Sequence, residues 1–183
     1  MKKSIIAAAL TLALPMAANA APFELTGKTF DLVGKLKLKA AGTCYGMKFT
    51  GKGTADPLLL PVTATLNVIG DETGQGLEWT NDSLLPPGTI VDFVIESRSK
   101  NKMLTHPVTP ADSLMLGKAL LIKANAYPDF EQNAGLDSYT MTASFGKSGT
   151  TAKVKEVAQT SSADGPCIGT AIVTRQYTGV ETP

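Results

Sequence analysis

A regular alternation of apolar and polar residues begins at Phe30 and continues to Ala40. Apolar side chains occupy the even positions and charged side chains most of the odd ones, with Val33 as the exception. Since side chains alternate across a strand, the pattern predicts one long β-strand with an apolar and a polar face. A turn at 41–43 then leads to a partner strand, whose predicted apolar face carries Tyr45, Met47 and Phe49.

The same alternation recurs later in the chain, between clusters of glycine, proline and polar residues. Further strands are predicted over 62–68, near Trp79, and over 89–97, 139–145, 151–158 and 167–177. Three stretches are predicted to lie outside strands: 98–107 as irregular chain, 160–165 as a flexible link and 178–183 as a loose tail.

One segment favours a helix. Thr109 is a suitable N-cap, Pro110 a suitable first helical residue, and Asp112 follows the cap by three positions. The run from there to Ala124 is rich in Leu, Ala and Lys, although Gly117 weakens it. We predict a short helix, with a buried strand as the alternative for so continuous an apolar run.

The predicted strands indicate an all-β fold. About eight short strands at this spacing are typical of an antiparallel β-barrel of the lipocalin-like meander type, with a two-sheet β-sandwich as the alternative. Cys44 and Cys167 are the only cysteines, and in an exported protein they predict a disulfide. That bond would hold the first hairpin beside the last strand. Residues 21–183 are enough for a single β-domain with its own core.

The first 20 residues have the features of a secretory signal peptide. A basic start is followed by an apolar run over 5–14 and by the small-x-small sequence Ala18-Asn19-Ala20. Pro15 interrupts the run before the roughly 20 apolar residues that a transmembrane helix needs. We therefore expect a bacterial protein that is periplasmic or secreted, and not integral to the membrane after cleavage.

Charge is distributed unevenly along the chain. Residues 28–52 hold six lysines and one acid, whereas the whole chain has 17 basic and 16 acidic residues. Lys35, Lys37 and Lys39 would share one face of the first strand and form a partner site for an anionic surface. The alternative is that they protect an edge strand against stray pairing. No arginines or aromatic residues lie between them, so nucleic acid is not expected as a partner.

No motif for catalysis, cofactors or metals is found. His106 is the only histidine, Gly-x-Ser-x-Gly is absent, and Gly146-Lys147-Ser148 lacks the earlier glycine of a phosphate-binding loop. The acidic residues lie mainly in turns. We predict no catalytic residue, metal or cofactor, while a hydrolase acting through His106 stays as a third hypothesis.

Apolar residues in predicted connections indicate where a ligand would enter. Leu84, Leu85, Tyr127 and Phe130 lie where polar residues are expected. Gathered at one end of a barrel with Trp79, they would form the mouth of a ligand site; turned inward they would plug it, and on an outer face they would mark a protein partner. The leading hypothesis is a non-enzymatic exported β-domain that binds a small apolar or amphipathic, lipid-like ligand through these five side chains.

Two resemblances accompany these hypotheses. As a small exported barrel the chain resembles lipocalin-type carriers, although the Gly-x-Trp of their first strand is missing. The alternation of Phe23, Leu25 and Gly27 ahead of Cys44 resembles a chaperone–usher pilin subunit, which implies a structural or adhesive subunit with a sandwich fold. In such subunits the second cysteine follows within the first third of the chain, unlike Cys167.

Overall fold

A computed structural model describes residues 25–55, 63–71, 74–99, 101–123 and 135–183. The predicted signal peptide, Tyr127 and Phe130 lie outside these residues. The described elements, in chain order, are β1 Thr29–Cys44, β2 Met47–Ala55, β3 Thr63–Asp71, β4 Gly74–Thr80, β5 Ile90–Ser99, β6 Lys102–Pro107, α1 Pro110–Lys123, β7 Gly135–Phe145, β8 Thr151–Asp164 and β9 Cys167–Glu181.

Eight of the strands close into an antiparallel barrel. β1 and β3 to β9 each pair with the next in the ring, and β1 pairs with β9 to complete it. The predicted β-barrel is therefore confirmed, and the two-sheet sandwich is not the fold that forms. β2 is an additional strand, which lies along β1 outside the ring.

β1 and β9 are longer than the barrel requires. They pair from Phe30, opposite Glu181, to Cys44, opposite Cys167. On its other edge β1 pairs with β3 over 29–33 and then with β2 over 36–44. The parts of β1, β2, β8 and β9 nearest to Cys44 and Cys167 therefore continue past that end of the barrel as one sheet. We call that end the upper end of the barrel, and the sheet beyond it the extended sheet: residues 38–44 of β1, 47–53 of β2, 158–164 of β8 and 167–173 of β9.

The interior of the barrel is filled by apolar side chains from every strand of the ring and from α1. Alternation explains the arrangement, since inward residues of each strand are buried while their neighbours face out. The largest fully buried side chains include Trp79, Tyr177, Phe30 and Phe93.

The predicted helix is confirmed and begins as its sequence indicates. The backbone N–H of Asp112 donates to Thr109 Oγ1 at 3.1 Å, which is one of the two bonds of a capping box. The Thr109 hydroxyl in turn donates to the Asp112 carboxylate at 2.7 Å. The helix packs into the core through three fully buried side chains, Leu116, Leu120 and Leu121. No helix among the described residues is long and apolar enough to cross a bilayer.

The disulfide between Cys44 and Cys167 is also confirmed. The two residues stand directly opposite each other at the far end of the β1–β9 pair. The bond therefore joins the tip of the extended sheet, across 123 positions of sequence. Bonds of this kind form in oxidising compartments outside the cytosol.

The prediction that the apolar face of the first hairpin is shielded from water is wrong at the tip of the hairpin. Tyr45, Met47 and Phe49 are 76%, 71% and 45% exposed. They lie at the tip and β2 edge of the extended sheet, which the described elements leave exposed, whereas Thr160 and Ala171 on the same face of β8 and β9 are buried. Alternation predicted the face correctly but could not show whether anything covers it.

Three segments expected to be irregular are strands instead. The stretch 98–107 contains the end of β5 and all of β6, 160–164 continues β8, and Thr178 to Glu181 continue β9. The expected tail is held by pairing with β1, and the backbone N–H of Thr182 donates to Thr29 O at 2.8 Å. Long-range partners impose these strands on sequences with no local strand signal.

Candidate functional site

Three of the five predicted ligand contacts are described, and they lie in or against the core. Trp79 is fully buried and Leu85 is 5% exposed, while Leu84 packs against the core from the turn after β4. Leu85 is therefore turned inward, and the described residues do not test whether it plugs the end of the barrel. Tyr127 and Phe130 are outside the described residues. A ligand-binding role for these five residues stays a prediction.

His106 lies on the outer face of β6. Its Nδ1 is 3.9 Å from Glu96 Oε2, and both side chains are more than half exposed. Among the described residues no three His, Cys, Asp or Glu side chains are grouped as a metal site would need. A hydrolase acting through His106 stays a prediction.

A chain of polar side chains crosses the barrel interior. The hydroxyls of Tyr139 and Tyr177 donate to the two carboxyl oxygens of Glu156, at 2.6 and 2.5 Å. The Asn81 amide donates to the Tyr177 hydroxyl at 2.7 Å. These bonds link β7, β8, β9 and the turn after β4. All four side chains are buried, so they fix the position of the strands around them.

Burial raises the pKa of Glu156, although the hydrogen bonds from the two tyrosines and the charge of Arg175 act in the opposite direction. Burial and the nearby carboxyl group also raise the pKa of both tyrosines well above 10. The tyrosines therefore remain hydrogen-bond donors at every physiological pH.

Three buried donors beside this chain complete no hydrogen bond. They are Arg175 Nε, Arg175 Nη1 and Trp79 Nε1, although the last of them lies close enough to Glu156 to lower the pKa of that carboxyl. Arg175 is opposite Glu156 in the β8–β9 register, and its guanidinium lies 5.5 Å from the ring centroid of Tyr177. The Trp79 ring packs edge-on against the same tyrosine, 5.1 Å between centroids. Unpaired buried donors are costly, so this cluster is one candidate for binding a ligand.

The second candidate is on the outside of the barrel. Residues directly opposite each other on neighbouring strands share a face, and we call such a set a row. Several consecutive rows on the outer face of β2, β1, β9 and β8 carry exposed lysines. These residues form the lysine face: Lys35, Lys37, Lys39, Lys48, Lys52, Lys153 and Lys155.

The registers show how these lysines come together. Lys39 is directly opposite Lys52, and Lys35 and Lys155 lie on either side of Gln176. Rows are about 7 Å apart along a strand and neighbouring strands about 5 Å apart. Those spacings are shorter than the Debye length of about 8–10 Å, so the charges reinforce one another.

No acidic residue of the described strands shares a row with these lysines. Asp31 lies one row below Val33, and Asp137 accepts from Ser161 at the border. The opposite side of the barrel differs, because Asp92 and Glu96 are exposed on β5. The lysine face is therefore the basic side of the barrel, whereas β5 is mixed, since Arg98 is exposed on the same strand as these two acids. Lys28 pairs with Glu181 at 2.8 Å and is not part of the basic side.

Exposed apolar side chains border the lysine face. Val33 and Ile172 lie among the lysines, and Ile168 lies nearer the tip. Tyr45 lies in the β1–β2 turn itself, whereas Met47 and Phe49 are exposed at the same tip on the opposite face of the sheet. A basic sheet with an apolar end is suited to an interface between water and an anionic apolar phase.

Sequence reasoning found part of this site. Lys35, Lys37 and Lys39 were predicted from their shared face, whereas Lys153 and Lys155 join them only because β8 returns beside β9. Glu156 gave no sequence signal, since a single acid in an otherwise alternating strand is usually exposed. Its inward position in the β8 alternation is the one pattern from which it could have been found.

Comparison with known proteins adds no family. No protein-family model matches the chain, and no curated protein matches it. Among solved structures, the chain is similar to the crystal structure of the ywiB protein from Bacillus subtilis. The identity is 5% and the TM-score 0.19, over 80% of this chain and 92% of that chain. Similarity at that TM-score carries no argument about function, which is therefore inferred from this chain's own residues.

Proposed function

We propose that this protein is a non-enzymatic, exported bacterial β-barrel that binds the surface of an anionic phospholipid membrane through the lysine face. In this proposal the amphipathic, lipid-like ligand expected from the sequence binds to the outside of the barrel. The observation that carries the proposal is a set of seven exposed lysines on one face, six of them in four consecutive rows and Lys48 two rows beyond, with no described acid in those rows. Export by the segment 1–20, and a periplasmic or secreted location, are parts of the same proposal.

Protection of an edge strand does not explain the lysines of β1. Lys37 and Lys39 have a paired strand on both sides, since β1 lies between β9 and β2. Like charges directly opposite each other destabilise a sheet, as Lys39 and Lys52 do here. A repulsive arrangement in the extended sheet, where no burial requires it, supports a binding role.

A lipid surface fits this face better than nucleic acid does. The face has no arginine and no aromatic residue to stack on bases. Its apolar residues are aliphatic, and those at the tip include Tyr45, a side chain that favours the boundary between water and lipid. Each lysine close to an anionic membrane contributes about 1 kcal/mol of binding energy.

The test is co-sedimentation of the protein with two kinds of vesicle. One is phosphatidylcholine alone; in the other about one lipid in three is phosphatidylglycerol, which makes the surface clearly negative. We expect binding only to the anionic vesicles, falling as salt rises from about 0.05 to 0.3 M. K35Q/K37Q should lower the partition coefficient roughly 10- to 30-fold. The matched variant K118Q/K147Q removes two exposed lysines elsewhere and should change it less than about twofold. Equal binding to both vesicles, or equal losses in both variants, would refute the proposal.

A second candidate function is supported by the unpaired donors of Arg175 and Trp79. A small amphipathic ligand with an anionic or accepting head group would pair these donors only by displacing side chains of the filled interior. Native mass spectrometry of the purified protein tests this: a bound mass that R175M removes would support it. An unliganded mass after lipid addition would argue against it.

A further inference from the structure

The lysine face contains a hollow near the tip of the extended sheet. Its volume is about 270 Å³, and its side chains come from two neighbouring rows. One row has short side chains, Ala41, Thr50 and Thr170, and the next has longer ones, Lys39, Lys52 and Ile172. The hollow exists because the short row lies below the level of its neighbours.

We propose that this hollow binds the phosphate head group of a single anionic glycerophospholipid. The inference rests on the proposed function and assigns a specific site within the lysine face. The lining of the hollow is largely apolar, so the ammonium groups of Lys39 and Lys52 would meet the phosphate at its rim and donate to its oxygens there. Thr50 and Thr170 add hydroxyl donors on the same face.

Size and surroundings favour a lipid head group. The volume is slightly below the 300 Å³ or so at which sites for larger small molecules begin, but it accommodates a phosphate with part of its glycerol. Ile172, 38% exposed, lines the hollow and offers an apolar contact to the start of an acyl chain. A free phosphate ion would make no use of that side chain.

Charge supports the same assignment. Lys39 and Lys52 repel each other across one strand pair, and no described acid lies in their row. A bound phosphate would convert this repulsion into two attractive contacts. Lys35 and Lys37 lie farther down β1 and do not line the hollow, so the two sets of lysines are separable by mutation.

The experiment is an NMR titration of the ¹⁵N-labelled protein with three probes: dihexanoyl phosphatidylglycerol below its micelle concentration, dihexanoyl phosphatidylcholine and inorganic phosphate. We expect saturable shifts at the amides of Thr50 and Thr170 with dihexanoyl phosphatidylglycerol only. T50V/T170V, which keeps strand propensity and every charge, should weaken this binding about tenfold. T43V/T178V changes two threonines of the same face outside the hollow and should leave it unchanged.

Each other result has a definite meaning. Equal binding of inorganic phosphate would show a free-phosphate site and overturn the lipid assignment. Unsaturable shifts spread along the lysine face, or no effect of T50V/T170V, would remove the hollow as a site. If the protein still binds anionic vesicles in those cases, the proposed function stands without the hollow. If the wild-type protein does not bind anionic vesicles, the proposed function itself fails.

Discussion

The lower and upper halves of β1 have the same alternation but different surroundings. In the lower half Phe30 and Leu32 are fully buried inside the barrel. In the upper half Leu38, Ala40 and Gly42 face the same way but are only partly buried. The lower half is covered because the sheet curls round and closes, whereas the upper half extends past that closure.

This difference separates two kinds of residue choice. Inside the ring, side chains are constrained by packing and by the hydrogen bonds to Glu156. In the extended sheet, Ala158, Ala171 and Val173 are still buried, but the described side chains of β2 and the β1–β2 turn are exposed. The sequence of the extended sheet contains unfavourable features: an opposed lysine pair and an exposed apolar tip. Residues that lower stability without a packing reason are the best candidates for a binding role.

The largest effect is expected from Glu156→Ala in the barrel half. It leaves two buried tyrosine hydroxyls without their acceptor and opens a cavity, at a cost of about 2–4 kcal/mol. Gln159 follows on the same strand but faces outward, so Gln159→Ala should cost less than about 0.5 kcal/mol. Urea denaturation measures both. Similar values would mean that the interior hydrogen bonds are not formed.

The pH dependence of stability sharpens the same contrast. Because the pKa of Glu156 is raised in the folded protein, the native state holds this proton more tightly than the unfolded state does. Its contribution to stability is therefore lost as pH rises from about 4.5 through the folded pKa. Glu156→Gln should remove that loss, so urea midpoints of the variant relative to wild type should increase from pH 4 to pH 8. A constant difference would contradict a raised pKa.

Two glycines give a matched pair of intermediate effect. A methyl group at Gly34, inside the barrel, would lie 2.6 Å from a ring carbon of Tyr177, whereas one at Gly51, in the extended sheet, would have nothing within 4 Å. Gly34→Ala should cost about 1–3 kcal/mol and Gly51→Ala should be neutral or slightly stabilising. Thermal unfolding of the two variants distinguishes them, and equal losses would show that the extended sheet is packed as tightly as the barrel.

The smallest effect is expected at the opposed lysines. Lys52→Glu replaces repulsion of Lys39 with attraction and should stabilise the protein by a few tenths of a kcal/mol. The same change should weaken binding to anionic vesicles, so stability and binding move in opposite directions. Lys52→Gln, which removes the repulsion alone, should lie between the two. Loss of stability in Lys52→Glu would mean that the ammonium has another role.

The sequence was most informative where structure is decided locally or by a simple period. Alternation around Phe30 predicted β1, the Thr109–Asp112 cap predicted the helix, and the cysteine count predicted the disulfide. The number and spacing of the strands predicted a barrel, with a two-sheet sandwich as the alternative, and the pairing of β1 with β9 decides for the barrel.

The remainder depends on contacts between distant parts of the chain. The polar stretch 160–164 becomes a strand because β9 runs beside it, and Lys153 and Lys155 reach the lysine face by the same pairing. Exposure of Tyr45 and Phe49 depends on where the barrel closes. None of these depends on a local pattern, so alternation and composition could not reveal them.

The most direct test of the lysine face is NMR of the protein bound to nanodiscs of phosphatidylcholine and phosphatidylglycerol that contain a gadolinium-chelating lipid. Amide signals lose intensity in proportion to their closeness to the membrane surface. We predict strong losses for β2, the upper half of β1 and residues 168–176 of β9, and little loss for β5 on the opposite side of the barrel. Uniform losses, or losses centred on β5, would contradict the proposed orientation.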